Sequence, residues 1–197
     1  MKRFFQICLS TAACVVLFGC AHPISLTPDT KAIPTASATA VIPKKVGFYV
    51  SDASKALEIT SPGGGGDKVR YFPYRDLEPG LYQALSAVFS DVSKIKDPKD
   101  VAALKANGVS LLITPEIATT SSSPSPLTWP PTNFGVRLVC AITDSDGNTI
   151  ETIRVQGEGH AEFDDFKSNF SLSAVRASND ALTKLVAALG ESKALRR

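Results

Sequence analysis

The sequence is poor in the residues that most often build catalytic and metal sites. Its 197 residues include four cysteines, two histidines and one tryptophan, and it contains no CxxC, GxSxG or GxxxxGK[ST] motif. The first absence removes the common zinc and dithiol redox sites, and the second removes the nucleophile elbow of α/β-hydrolases. Four consecutive glycines at 63–66 lack the lysine of a phosphate loop, so they predict a flexible hairpin turn. An enzyme is therefore not expected.

No apolar run is long enough to span a bilayer, which takes about 20 residues. The longest, Phe4–Phe18, follows Lys2 and Arg3 and precedes Gly19 and Cys20. This is the layout of a secretory signal peptide, and its last four residues, LFGC, resemble a bacterial lipobox. The resemblance implies cleavage between Gly19 and Cys20, a diacylglyceryl group on the thiol and an acyl chain on the new amine, with no other cofactor. The alternatives are an ordinary signal peptide and a spanning helix; no stop-transfer segment follows.

The lipobox also implies a location. Two or three acyl chains anchor a protein stably, so the mature chain is expected on a membrane without crossing it. Residue 21 is Ala rather than the Asp that retains related lipoproteins at the inner membrane. We therefore expect the outer membrane, with the protein facing the periplasm.

The sequence also lacks an excess of positive or negative charge. Removal of residues 1–19 takes Lys2 and Arg3 away, leaving 178 residues with 19 basic and 19 acidic side chains. Nucleic-acid binders concentrate positive charge to displace counterions, and no basic stripe occurs here. A nucleic-acid partner is not expected.

Only one free thiol is predicted in the mature chain. Cys8 and Cys14 leave with the signal peptide and Cys20 carries lipid, so Cys140 has no partner for a disulfide. Cys140 alternates with apolar residues along a predicted strand, and free cysteines are among the most buried residues. We expect it to be buried rather than reactive.

Composition divides the chain into four parts. Residues 1–19 are the signal peptide, and 20–44 are a lipidated tether rich in Pro, Thr and Ala. Its apolar exceptions are Ile24, Leu26 and Ile33, where a short strand could dock. Residues 45–190 form a single domain and 191–197 a tail. A segment without apolar periodicity cannot bury enough surface to offset the entropy of ordering, which is why 20–44 is expected to be a spacer.

Periodicity within the domain predicts alternating strands and helices. Asp76 and Asp97 are expected to begin helices, Gly108 and Gly190 to end them, and the DSDGN turn to close a β-hairpin rather than bind calcium. The expected fold is an α/β sandwich (α+β) with a mixed sheet, a hairpin in the C-terminal half and about three packed helices. Strands are predicted at 46–50, 56–60, 68–72, 91–95, 109–117, 134–143 and 149–157, and helices at 76–90, 97–106 and 170–189.

Two stretches are candidate partner-binding surfaces. Tyr71, Tyr74 and Arg75 lie in YFPYRD, and aromatic and Arg side chains are enriched at interfaces. Trp129 lies in a proline-rich loop predicted at 119–133, longer than most structureless loops. The alternatives are strand-end packing for the first stretch and a lid folded over the core for the second.

One further cluster is acidic. His160 lies among Glu158, Glu162, Asp164 and Asp165, a composition that could hold a metal or provide acid–base groups. The folded region has no second histidine for a zinc set, and runs of charge usually face solvent. A solvated acidic stretch is the favoured interpretation.

The chain as a whole resembles the YajG-like family of small bacterial lipoproteins and, more distantly, the curli-secretion lipoproteins and the TolB N-terminal domain. The matching features are the lipobox, YQALSAVF followed by DVSKI, NGVSLLITPEI, the hairpin VRLVCAITDSDGNTIETIRVQGEG and the helix AVRASNDALTKLVAAL. The resemblance implies the order of elements and a role in envelope assembly, secretion or partner binding, and it brings no active-site residues. It favours a non-catalytic interaction module with a periplasmic or envelope protein partner; a subunit of a secretion or transport complex is the alternative.

Overall fold

The computed structural model describes residues 21–35, 41–167 and 169–197. The predicted signal peptide and Cys20 lie outside these residues. The described strands are β1 His22–Pro23, β2 Ile42–Phe48, β3 Ile59–Pro62, β4 Lys68–Tyr71, β5 Phe89–Lys94, β6 Leu111–Ser122, β7 Asn133–Asp144 and β8 Thr149–His160. The described helices are α1 Asp52–Ala56, α2 Pro73–Ser86, α3 Val101–Ala106 and α4 Leu172–Glu191, with 3-10 turns at Thr30–Ala32 and Phe163–Lys167.

The larger sheet has five strands in the order β5-β2-β6-β7-β8. Strands β5, β2 and β6 run parallel, and β6, β7 and β8 are antiparallel. The apolar strand β6 is at the centre, as its sequence predicts. Its pairing with β2 ends at Ile113, two residues before Pro115, because proline has no N–H to donate to a ladder.

The hairpin of β7 and β8 confirms the alternation read from the sequence. Phe134, Val136, Leu138, Cys140 and Ile142 are all buried on one face of β7. At the turn, the Asp144 carboxylate accepts hydrogen bonds from the backbone N–H groups of residues 146 and 148 and from the Asn148 side chain, each at 2.9 Å. These bonds, led by the one from the Asn148 side chain, lower the pKa of Asp144. The Asp144 carboxylate thus stabilises the hairpin turn through hydrogen bonds within the turn itself.

Helices α2 and α4 cover the buried face of this sheet. Together with a second, three-stranded sheet of order β1-β4-β3 they confirm the expected α/β sandwich, with four described α-helices instead of about three. No helix in the described ranges is long and apolar enough to cross a membrane.

The segment after Cys20 differs from the predicted spacer. Strand β1 pairs in parallel with β4, placing His22 beside Val69. Ile24, Leu26 and Ile33 are buried in the core. Their hydrophobic burial offsets the ordering entropy although the residues show no period. Residues 21–35 are therefore packed onto the domain, and β2 begins at residue 42 inside the predicted spacer.

Helices α2 and α3 begin at residues other than those predicted. Helix α2 begins at Pro73, so Asp76 lies in its first turn rather than at its cap. The Asp76 carboxylate instead accepts a hydrogen bond from the backbone N–H of Leu26 at 3.1 Å. Helix α3 is capped by Asp100 rather than Asp97, and the expected stop after it is confirmed by a positive φ of 69° at Gly108.

The C-terminal residues pack as well. Helix α4 continues through Gly190 to Glu191, past the predicted stop. Leu195, in the segment predicted as a tail, is fully buried, and Ser192 donates a hydrogen bond to Glu151. These contacts fasten the chain end to β8.

Candidate interaction surfaces

The first predicted surface is mostly interior. Tyr71 is 1% exposed, its ring meets Phe134 edge-on at 5.4 Å, and its hydroxyl lies 2.8 Å from the Thr119 hydroxyl. Tyr74 is half-buried, and its hydroxyl accepts a hydrogen bond from the backbone N–H of Ile117 at 3.1 Å. Both tyrosines join the second sheet and α2 to β6, so their side chains are committed to packing.

Arg75 is the part of that stretch that faces solvent. Its guanidinium lies 3.8 Å above the centre of the Phe72 ring, a cation–π contact, and its Nε lies 3.5 Å from Asp76. The structure therefore separates Arg75 from Tyr71 and Tyr74 instead of joining the three in one surface.

The Trp129 loop is shorter than predicted and well anchored. Strand β6 extends to residue 122, which leaves 123–132 as the loop. The Trp129 carbonyl accepts a hydrogen bond from the Gly64 N–H at 2.9 Å, and the Pro131 carbonyl accepts one from the Ser173 hydroxyl at 2.5 Å. A Cβ on Gly64 would overlap the backbone of the loop. The glycine run predicted as a flexible tip thus supports this loop.

The Trp129 ring joins three separate segments. It contacts the His22 ring, with centres 4.3 Å apart and planes tilted by 30°, and the Phe170 ring, at 4.9 Å and 50°. Leu127 and Phe163 line a hollow of about 210 Å³ together with Trp129 and Phe170. We call Leu127, Trp129, Phe163 and Phe170 the Trp129 patch.

Sequence reasoning missed most of this patch. Phe163 was placed in the acidic stretch and Phe170 at the start of a helix. The available signal was FDDF, where Phe163 and Phe166 bracket two aspartates in a 3-10 turn that buries only the second ring. No local sequence pattern indicates that the His22 ring contacts the Trp129 ring.

A second surface is the face of the hairpin that none of the described helices covers. Strand pairing aligns Thr120, Gly135 and Glu158 across three strands, and the adjacent row contains Asn133 and His160. Because Gly135 has no side chain, a groove of about 420 Å³ opens between these rows. Its exposed side chains are polar, so this surface suits hydrogen bonding to a partner. We call it the open-face groove.

His160 is at one end of the groove. Its Nδ1 lies 2.7 Å from Asn133 Oδ1 and its Nε2 lies 2.7 Å from Glu162 Oε1. Within the described ranges no group of three His, Cys, Asp or Glu side chains could hold a metal ion. The ring is held between two neighbours at the solvent surface, as the solvated interpretation predicts.

The edge of β8 is occupied by side chains of α4. The Asp180 carboxylate accepts a hydrogen bond from the Glu158 N–H at 2.9 Å, and Lys184 donates one to the Gln156 carbonyl at 2.9 Å. Arg176 donates to the His160 carbonyl at 2.6 Å. Residues spaced by four on one helix face thus occupy the edge groups with which another strand would pair.

Cys140 is buried, and burial raises the pKa of its thiol to about 12. The thiolate is the nucleophilic form. The free thiol is therefore protonated and out of reach at neutral pH, which confirms the prediction of a buried cysteine.

Comparisons with known proteins place few constraints on function. No protein-family model and no curated protein matches the chain. Among solved structures it is similar to a DUF330 protein from Xanthomonas campestris (10% identity, 85% of this chain and 90% of that one, TM-score 0.48). It is also similar to a PelC dodecamer from Paraburkholderia phytofirmans (10%, 77% and 93%, 0.41) and a minor lipoprotein from Acinetobacter baumannii (16%, 76% and 92%, 0.42). At these identities, function has to be argued from the residues of this chain.

Proposed function

We propose that the protein is a lipid-anchored lipoprotein of the outer membrane that faces the periplasm and acts as a non-catalytic interaction module, related to the YajG-like family. The observation that carries the proposal is the lipobox at Cys20. The first described strand begins at His22, two residues after Cys20, so the anchor would hold the domain directly at the membrane.

The open-face groove is the surface we assign to a periplasmic or envelope protein partner. It lies on the sheet face opposite α2 and α4, and its exposed side chains, including Thr120, Glu158 and His160, are polar and lie outside the core. The absence of catalysis is supported by the chemistry of the candidate groups, because the Cys140 thiol is buried and His160 is held between Asn133 and Glu162.

The anchor is tested by fractionating cells that express the full precursor. We expect the wild-type protein in the outer membrane, with an intact mass showing a chain that begins at Cys20 and carries three acyl chains. Cys20→Ser should move the protein to the soluble fraction. Ala21→Asp should keep the lipid and shift the protein to the inner membrane. A Cys20→Ser variant that still sediments with membranes, or a free thiol at Cys20 in the wild type, would contradict the proposal.

The partner surface is tested by photo-crosslinking in intact cells. A photoreactive residue at Thr120, in the groove, should capture a periplasmic protein that is identified by mass spectrometry. The matched control is Thr183, an exposed threonine on α4. Equal capture at both positions, or capture only at Thr183, would show that the groove is not the binding surface.

A further inference from the structure

The most exposed apolar side chains of the described residues lie together. Leu127, Phe163 and Phe170 are 85, 65 and 52% exposed, whereas the other large apolar side chains that reach solvent are 37 to 44% exposed. All three line the same hollow as Trp129. Single exposed apolar residues are ordinary, but a cluster of them marks a contact surface.

The Trp129 patch is beside the predicted lipid attachment point. His22, whose ring stacks on Trp129, is two residues from Cys20. Consecutive Cα atoms are 3.8 Å apart, so the two residues from Cys20 to His22 correspond to at most about 8 Å of chain. His22 itself is held on the domain, because β1 pairs with β4 and the Ile24 N–H donates to the Arg70 carbonyl at 3.0 Å.

The charged side chains beside Phe163 are acidic. Asp165 lies 3.1 Å from Arg176, and the Glu162 carboxylate lies within hydrogen-bond distance of the His160 ring, 2.7 Å from its Nε2. The Glu162 backbone N–H and then Arg176 lower the pKa of Asp165, so that carboxylate stays ionised and paired. The surface therefore does not attract anionic lipid. Its contact with a membrane would come from the burial of apolar side chains.

We propose that the Trp129 patch inserts into the lipid–water interface of the membrane that holds the Cys20 acyl chains. This inference rests on the proposed function, because the lipid on Cys20 brings the patch to the bilayer. Tryptophan is enriched at membrane interfaces, where its ring is apolar and its N–H remains hydrated. The patch adds a second contact to the lipid anchor and sets the orientation of the domain, with the hairpin turn at Asp144–Asn148 pointing away from the bilayer.

The chain carries its own reporter for this contact, since Trp129 is its only tryptophan. The lipidated mature protein is reconstituted into phosphatidylcholine vesicles whose acyl chains carry bromine, which quenches tryptophan on contact. We expect the Trp129 emission to shift to shorter wavelength and to be quenched by brominated but not by ordinary lipid. The quenching should not change between low and high salt.

The variant Leu127→Ser/Phe163→Ser/Phe170→Ser should lose this quenching and still sediment with the vesicles through its acyl chains. The three side chains are exposed, so the fold is expected to persist, as checked by circular dichroism. The matched control Leu57→Ser/Ile150→Ser changes exposed apolar residues elsewhere, 44 and 39% exposed, and should keep the quenching.

Each other outcome overturns the inference in a distinguishable way. A lipidated wild-type protein that sediments without quenching, or a triple variant that is quenched as fully as the wild type, rejects the patch contact and leaves the anchor standing. Absence of quenching together with a dimer in sedimentation velocity assigns the patch to a second copy of the chain. A protein without lipid by intact mass that stays in the supernatant rejects the proposed function and the inference together.

Discussion

Individual ionised side chains join segments of this protein that are distant in sequence. Glu78 on α2 lies 3.1 Å from Lys55 on α1 and 3.2 Å from Lys94 on β5, with its side chain 16% exposed. Burial raises the pKa of Glu78, but the hydrogen bonds and charges of the two lysines outweigh it, and the pKa lies below its ordinary value of 4.5. A carboxylate with a lowered pKa stabilises the fold most where it is ionised in both states.

Glu78→Gln is expected to lower the free energy of unfolding by about 1 kcal/mol at pH 7, because the pair with two lysines is lost. The stabilisation by Glu78 is complete above pH 4.5 and disappears as pH falls through the lower pKa of the folded state. The difference between wild type and variant should therefore shrink below pH 4.5. Urea unfolding of both proteins at several pH values measures it, and a difference that grows on acidification would contradict the assignment.

At the scale of elements, the contact between α4 and β8 is unusually close. Gly157 and Gly159 face the helix, and a Cβ on Gly159 would overlap the Ser173 carbonyl and the Ala177 N–H. The helix presents small buried residues at this contact, including Ala177 and Ala181. Because no side chain separates them, the backbones of α4 and β8 lie close together. The polar side chains of α4 can then form hydrogen bonds with the backbone groups at the edge of β8.

Gly159→Ala is expected to lower the free energy of unfolding by about 2 kcal/mol, since a methyl group has no room unless the helix moves. The matched control is Gly190→Ala, which adds the same methyl group within α4 where nothing lies within 4 Å. That variant should gain up to about 1 kcal/mol from helix propensity. Thermal or urea unfolding compares the two, and equal stability of both variants would show that the close approach is not needed.

At the scale of the whole molecule, the chain closes on itself from both ends. Residues 21–35 fill a space between α2 and the second sheet, and residues 192–197 pack against β8. The Leu26 backbone is bonded to Asp76, and its side chain is fully buried. A domain built this way includes the residues that directly follow the proposed lipidation site at Cys20.

Leu26→Ala is expected to lower the free energy of unfolding by about 3 kcal/mol, the usual cost of a cavity left by a buried leucine. Leu57→Ala, at a position 44% exposed, serves as control and should change stability by less than about 0.5 kcal/mol. Both are measured on the Cys20→Ser chain in urea. If Leu26→Ala is as stable as the control, residues 21–35 behave as a spacer in solution.

The elements that could be predicted are those specified by close neighbours in sequence. The hairpin follows from alternating residues around an Asp- and Gly-rich turn, and β6 follows from a continuous apolar run. Burial of Cys140 follows from its place in the same alternation. In each case the information lies within about ten residues, the range over which periodicity operates.

Contacts between distant segments could not be predicted in this way. Helix α4 presents the small buried residues Ala177 and Ala181 to β8, because Gly157 and Gly159 leave room for the helix backbone there. Of the predicted binding residues, Tyr71 is interior because its side chain packs against Phe134 of β7 and Thr119 of β6. Trp129 lies with Phe163 and Phe170, which local patterns do not bring together. The roles of Trp129 and Arg75 in binding stay predictions.

The long strands, three of the four described helices and the lipobox pattern could be identified from the amino-acid order alone, because periodicity, turn residues and the signal-peptide pattern are local properties. The uncovered apolar residues, and the position of His22 against the Trp129 patch, follow from the fold. The reason is that burial is a property of the assembled surface, where a side chain is exposed or covered by segments that are distant in sequence.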